Sequence, residues 1–387
     1  MPGHAYHARV NWRSVSMRCF SSFGAVLVAC VSLSAGAQEL QRLAQAGPCA
    51  VQTQDARWLD AARKRTLPVR LNVPHCPDVQ DAEQPRAPYP LIVYTPGLGG
   101  ALDTGALWAQ HWASHGFVVL QLQHPGSDAD TLVRAKNRRA AQRKATSAVQ
   151  FEARLRDLRF VLDELDRIDR TLRESTASPL SAERELLLRM TDFSRIGVAG
   201  HSMGAVTVQK LAGQRLAGQG ALEPAARVPG PHYEPRVRAF VAFSPAASNA
   251  QAAQQFAAID KPFFSVTGSL DGRGSARLGN TPAQRQVPYA GMRGENKYLL
   301  NLYGAGHMVF AGDTRRSVAP AQRALEDEQV RITRTLTTAY WMAWLRDDAA
   351  ARLALRNAAD VVGAAGEFRV KSGTQTGDAA ARCDQCP

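Results

Sequence analysis

Short unbroken apolar runs alternate along this chain with longer stretches in which apolar residues recur at helical spacing. The runs at 67–73, 89–95, 117–122, 195–199, 237–243, 262–267 and 297–302 read as strands. Most of them carry no polar alternation, which is the pattern of strands covered on both faces. Between them, 103–115 holds Trp108 and Trp112 four residues apart, on one helical face. Leu155, Leu158, Val161, Leu162 and Leu165 recur at helical spacing with charges between them, as does a closing amphipathic helix at 329–355. Strands alternating with helices predict an α/β fold, with a mostly parallel central sheet and helices on both faces. Residues 131–190 form a helical, charge-rich insertion, and the proline-rich stretch 74–88 reads as irregular surface chain.

The ends of the chain depart from this pattern. Arg9, Arg13 and Arg18 precede an apolar run at 20–33, and Ala35-Gly36-Ala37 offers a small-x-small cleavage site. Residues 1–37 are therefore expected to be an export signal, with Met17 as a second candidate start. Leu27-Val28-Ala29-Cys30 resembles a bacterial lipobox, and a lipidated Cys30 is the alternative route to a membrane. Plain secretion, extracellular or periplasmic, is preferred because the apolar run continues past Cys30. One domain is expected over 38–360, followed by an Ala- and Gly-rich flexible tail at 361–387. No internal repeat is visible, and a monomer is expected.

Six cysteines are present, two of them in the signal. The remaining four allow three pairings, of which Cys49–Cys76 with Cys383–Cys386 is expected because each pair is near in sequence. Cys383-Asp384-Gln385-Cys386 stands without a second ligand pair, so no metal is expected. The net charge of +13 would suit an anionic partner, but no nucleic-acid motif accompanies it, and no nucleic acid is expected. Arg134, Lys136, Arg138, Arg139, Arg143 and Lys144 form a basic run. It reads as a solvated helix face, with contact to an anionic surface or substrate as the sharper alternative.

The candidate chemistry lies at strand ends. Gly200-His201-Ser202-Met203-Gly204 follows the strand at 195–199 and opens a helix, the context of a nucleophile elbow. Pro96-Gly97-Leu98-Gly99-Gly100 follows the strand at 89–95. No Lys-Ser/Thr pair follows it and no dinucleotide fingerprint is matched, so it reads as a loop presenting N–H groups to an oxyanion, with no cofactor. A serine nucleophile also needs a base and an acid to orient that base, all at one sheet edge. Asp271 follows the strand at 262–267, and His307 follows the strand at 297–302. His201 is too close to Ser202 in sequence to swing onto its oxygen, His124 suits local turn bonding, and His111 and His115 lie in a helix. The oxyanion donors are expected to be the backbone N–H groups of Leu98 and Met203. Trp108, Tyr303, Met308 and Phe310 are candidates for lining a substrate pocket.

Six stretches together carry a resemblance. They are Pro96-Gly97-Leu98-Gly99-Gly100, His115-Gly116-Phe117, His124-Pro125-Gly126-Ser127-Asp128, Gly200-His201-Ser202-Met203-Gly204, Gly268-Ser269-Leu270-Asp271 and Gly304-Ala305-Gly306-His307. Over about residues 67–355 the chain resembles the predicted dienelactone hydrolase group of the α/β-hydrolase superfamily. That group is related to platelet-activating factor acetylhydrolases and more loosely to bacterial polyesterases. The resemblance implies an α/β-hydrolase fold and hydrolysis of a small-molecule or lipid-like carboxylic ester through an acyl-serine, without a cofactor. It carries over Ser202 as nucleophile, Asp271 as orienting acid, His307 as base, and Leu98 and Met203 as oxyanion donors. Two departures stand out: true dienelactone hydrolases have cysteine where this chain has Ser202, and relatives often have histidine or serine-histidine before Pro96, where this chain has Thr95. The expectation is a secreted serine esterase. Its rivals are an acyltransferase, lipase, polyesterase or peptidase on the same triad, and a non-enzymatic binding protein, against which the intact triad argues.

Overall fold

The structure is a computed structural model that describes residues 36–77, 88–173, 181–215, 228–272, 280–313 and 319–372. Residues 1–35 of the expected signal at 1–37, and the Cys383–Cys386 pair, lie outside the described residues. The strands are β1 (Ala50–Asp60), β2 (Arg65–His75), β3 (Tyr89–Thr95), β4 (Val118–Leu122), β5 (Thr191–His201), β6 (Val237–Phe243), β7 (Phe263–Leu270), β8 (Lys297–Gly306) and β9 (Gly366–Lys371). They form one sheet in the order β1-β2-β4-β3-β5-β6-β7-β8-β9. The run from β4 through β3 to β8 is parallel. β1, β2 and β9 are added antiparallel at the two edges.

The central strands are apolar throughout because helices cover both faces. In β3, Leu91 and Val93 point to one face and Ile92 and Tyr94 to the other, and all are fully buried. Helices α1 (Ala106–Ser114), α2 (Arg138–Ala145), α3 (Ala148–Arg173), α4 (Met203–Leu211), α5 (Pro282–Gly291) and α6 (Pro320–Leu345) carry the argument below. α1 and α6 bring Trp108, Trp112 and Trp341 onto one face, where Trp108 stacks on Phe243 with ring centroids 5.4 Å apart. α3 and α4 bring Leu158, Leu162, Leu165 and Val208 onto the other. Burying aromatic side chains of this size contributes most of what holds a helix to a sheet.

Two expectations change. β1 is absent from the sequence reading because Ala50–Asp60 is an edge strand whose residues are mostly exposed or half-buried, so it has no apolar run. It is held by register pairing with β2 from Ala50↔His75 to Asp60↔Arg65 and by the Cys49–Cys76 disulfide at the open end of that hairpin. At the other edge, 361–387 was expected as a flexible tail. Instead Gly366–Lys371 pairs on β8, and Phe368 packs against Phe264 and Tyr298. The domain therefore extends past 360. An unpaired β8 edge would leave a row of backbone groups open, and β9 closes it. Among the described residues, no helix is long and apolar enough to cross a membrane.

The segment just past the expected signal is tied to α1. Leu40 and Leu43 are buried, and the Nε2 atoms of His111 and His115 donate to the carbonyls of Leu43 and Gln45 at 2.9 and 3.0 Å. Burial pushes the pKa of His111 down to about 3 and that of His115 to about 4. The unfolded chain protonates these rings below their ordinary value of about 6.5, while the folded chain resists until near 4. Their contribution to stability is complete above that ordinary value and drains away as the pH falls towards the folded values. Unfolding free energy is expected to drop by about 2 kcal/mol per ring between about pH 7 and pH 5. Urea titrations of the wild type and of His111→Gln/His115→Gln test this, and a pH slope of equal size in both proteins would refute it.

Candidate active site

Three side chains meet at the C-terminal edge of the sheet, each directly after its own strand. Ser202 stands between β5 and α4 with φ 56° and ψ −112°, a conformation costly for any residue with a Cβ. The glycines around it permit that turn through close contact: a Cβ on Gly204 would lie 2.1 Å from the Thr95 carbonyl oxygen. The Ser202 amide donates to the Phe243 carbonyl at 2.9 Å, which ties the turn to the end of β6. Asp271 follows β7 and is fully buried, and His307 follows β8. His307 Nδ1 donates to Asp271 Oδ1 at 2.7 Å, so its Nε2 is free to accept from Ser202 Oγ, 2.9 Å away.

Asp271 has further partners. The Thr267 hydroxyl donates to its other oxygen at 2.8 Å, and Arg285 of α5 lies 3.3 Å from Oδ1. Burial alone would raise the Asp271 pKa. The His307 hydrogen bond and the Arg285 charge outweigh it, so the carboxyl sits below its ordinary value and is ionised at neutral pH. Arg285, itself buried, also donates to the carbonyls of Ser244 and Pro245 at 2.8 and 3.2 Å, joining the ends of β6 and β7. His201 donates through Nε2 to the His307 carbonyl at 3.1 Å. Burial pushes its pKa down to about 3, so it is a neutral prop.

The Leu98 loop rests on a buried polar layer. Arg154 of α3 donates to Ser127 Oγ at 2.9 Å, to Thr95 Oγ1 at 3.2 Å and to the Pro96 carbonyl. His124 Nδ1 donates to Asp157 at 2.9 Å, so its Nε2 accepts from the Thr95 hydroxyl, also at 2.9 Å. Burial, reinforced by the Arg154 charge, pushes the His124 pKa down to about 4. Asp157 takes Arg63 and Arg65 as well, at 2.8 and 2.7 Å. Gly99 donates to the Ser127 carbonyl at 2.7 Å, locking the loop after β3 to the loop after β4. Among the described residues, neither the Leu98 nor the Met203 amide has a hydrogen-bond partner. Both residues, with Ser202, line one cavity of about 260 Å³ whose other walls include Phe151, Val206 and Ala246.

The four proposed pocket residues are not among those walls. Trp108 and Phe310 are fully buried in the core, where the Trp108 indole donates to the Phe310 carbonyl at 3.2 Å. Their placement corrects the expectation, because the stripe that faces a sheet is the stripe it buries. Tyr303 and Met308 are exposed, at 45% and 62%. Arg154, Asp157 and Arg285 were missed. For the first two a signal existed: they share the helical face of Leu158, Val161 and Leu165, and a charge on an apolar face needs a buried partner. Arg285 has no comparable signal, since its partners come from distant strand ends. Among the described residues, no group of three or more His, Cys, Asp or Glu comes together in a way that could hold a metal.

The order of the parallel strands, with the serine turn after β5 and the acid and histidine after β7 and β8, decides the fold. The chain has an α/β-hydrolase fold. A family model described as platelet-activating factor acetylhydrolase, isoform II, matches residues 64–219 of the chain. The matched stretch includes Leu98 and Ser202 and stops short of Asp271 and His307. No protein of curated function matches the chain. Among solved structures it is similar to a ferulic acid esterase from Streptomyces cinnamoneus, at 19% identity and a TM-score of 0.46, over 78% of this chain and 91% of that one. It is also similar to a dienelactone hydrolase candidate from Klebsiella pneumoniae subsp. pneumoniae, at 12% identity and a TM-score of 0.44, over 77% of this chain and 100% of the other. A third similarity is to a puromycin-hydrolyzing peptidase from Mycobacterium tuberculosis, at 13% identity and a TM-score of 0.44, over 76% of this chain and 39% of that one. The family match and the fold support an ester hydrolase.

The buried layer gives the protein a testable weak point. Thr95→Val keeps the shape of the side chain and removes the hydroxyl shared by His124 and Arg154. The expected cost is about 1–3 kcal/mol of unfolding free energy, the range for leaving buried partners unsatisfied. Urea denaturation measures it, and a neutral outcome would show that the layer does not depend on Thr95.

Proposed function

We propose that the protein is a serine carboxylic-ester hydrolase. The observation that carries this reading is the unbroken hydrogen-bond chain from Ser202 Oγ through His307 to Asp271, at 2.9 and 2.7 Å. Ser202 Oγ attacks the ester carbonyl carbon while its proton passes to His307 Nε2. The ionised Asp271 holds the imidazole by Nδ1 and stabilises the imidazolium that forms. Charge developing on the carbonyl oxygen is received by the Leu98 and Met203 N–H groups. The Met203 N–H belongs to the N-terminus of α4, where the helix dipole favours an anion. Each such donor is worth about 2.7–4 kcal/mol in the transition state. His307 then passes its proton to the departing alkoxide. Water, deprotonated by the same nitrogen, releases the acid from the acyl-serine. The leucine, methionine, phenylalanine, valine and alanine side chains lining the cavity beside Ser202 suit an apolar acyl group.

Export is the companion proposal, supported by the arginines and apolar run at the N-terminus and by the Cys49–Cys76 disulfide, a bond favoured in oxidising compartments. The mass of the mature N-terminus tests it: a chain beginning at Gln38 agrees, a lipidated Cys30 points to anchoring, and an unprocessed chain refutes both.

Turnover of p-nitrophenyl acetate by the purified chain tests the chemistry. Ser202→Ala is expected to lower kcat/KM by more than about a thousandfold, and Asp271→Asn by about ten-thousandfold through the wrong imidazole tautomer. A burst of p-nitrophenol equal to the enzyme concentration is expected if deacylation is slow. Equal turnover by the wild type and Ser202→Ala would sink the mechanism.

A further inference from the structure

The basic run takes no part in the catalytic arrangement. α2 and the turns flanking it expose Arg134, Lys136, Arg138, Arg139, Arg143 and Lys144. The chain from 134 to 151 contains no Asp or Glu. Among the described residues, none of the six cations has an ion-pair partner. Several surface arginines elsewhere are paired: Arg156 with Glu152, Arg167 and Arg184 with Glu164, and Arg331 with Glu328. Arg139 and Arg143 are four residues apart on one helical face, where like charges destabilise the helix that carries them. A face that only needed solvation would mix its signs.

Two apolar side chains flank the cations. Val133 is 70% exposed and Val149 is 80% exposed. α2 leans on the body of the protein through Ala145, its one fully buried residue. The segment also adjoins the candidate site. Thr146 caps the C-terminus of α2, Phe151 lies in the first turn of α3, and both line the cavity that holds Ser202.

We propose that α2 and its flanks, from Val133 to Val149, dock on the surface of an anionic phospholipid bilayer and bring the mouth of the Ser202 cavity to it. The occupant follows from charge and polarity together. Six cations without an ion-pair partner among the described residues complement a surface of negative headgroups, and juxtamembrane basic segments bind such surfaces additively. The two exposed valines bracket the charges in sequence and offer apolar side chains to the boundary where headgroups meet acyl chains. A small anion would need converging donors in a pocket, and a nucleic acid would gain nothing from exposed valines. The docking site does not depend on the acyl-serine reading. The benefit of the docking, an ester drawn from or near a bilayer, rests on that reading.

Co-sedimentation of the full mature chain with phosphatidylcholine vesicles, with and without phosphatidylglycerol, tests the docking. The protein is expected to pellet with the anionic vesicles, not with the neutral ones, and to be released at high salt, where charges are screened. The Arg138→Gln/Arg139→Gln/Arg143→Gln/Lys144→Gln variant is expected to bind anionic vesicles at least about a hundredfold more weakly. Its turnover of soluble p-nitrophenyl acetate is expected to match that of the wild type, which also shows that it is folded. Val133→Ser/Val149→Ser is expected to bind less and to release at lower salt. No binding, equal binding to neutral vesicles, or unchanged binding by the fourfold variant would overturn the proposal. So would tighter binding to a DNA duplex than to anionic vesicles. Vesicle binding by a chain that turns over no ester would leave the docking standing and count against the catalytic reading.

Discussion

The arrangement at the sheet edge depends on how closely α4 approaches the end of β3. With no side chain at Gly204, the backbone of the first turn of α4 packs directly against the Thr95 carbonyl, where a Cβ would sit at 2.1 Å. Gly200 makes a similar approach, its missing Cβ lying 2.6 Å from the Thr95 methyl. That closeness forces the intervening residue into a positive φ, and Ser202 takes it. The strain is local and is held by the packing on both sides. The same approach sets Ser202 beside Leu98, whose loop begins at Thr95. One steric constraint thus orders both the serine and the start of the Leu98 loop.

Below this contact the protein buries charge, which is costly unless every charge is paired and hydrogen-bonded. Asp157 meets this condition with Arg63, Arg65 and His124, and Arg154 is held by hydrogen bonds to Thr95, Ser127 and the Pro96 carbonyl, with its Nε left without a partner among the described residues. The layer draws on β2, β3, α3 and the loop after β4. A loop rich in glycine would otherwise be free to move, and this layer holds its first residues from beneath. Arg285 does the corresponding work on the other side, between Asp271 and the turn after β6. The site is therefore fixed by two buried arginines, Arg154 beneath the Leu98 loop and Arg285 beside Asp271, while the helix that carries the basic run remains outside that framework.

Much of the fold was legible because the central strands are buried on both faces and therefore appear as apolar runs. β3, β4, β6, β7 and β8 fall where those runs lie. β1 and β9 were not legible as strands because an edge strand has one open side and tolerates polar residues, as in Gln52-Thr53-Gln54-Asp55. The same burial logic misled at Trp108 and Phe310, which sit near the site in sequence order and yet face the core. Arg154 and Asp157 were hidden in a densely charged helix, where an inward charge looks like its outward neighbours.

By itself the sequence determined which residues end strands, because local pattern and turn chemistry act over a few neighbours. Ser202, Asp271 and His307 were named from that alone. The tertiary structure decided what those strand ends touch. It set the distances from His307 to Ser202 and Asp271, the carbonyls that Arg285 joins, and the buried layer under Leu98. These contacts bring together residues far apart in the chain, and their geometry follows from sheet order and helix packing, which no local stretch encodes.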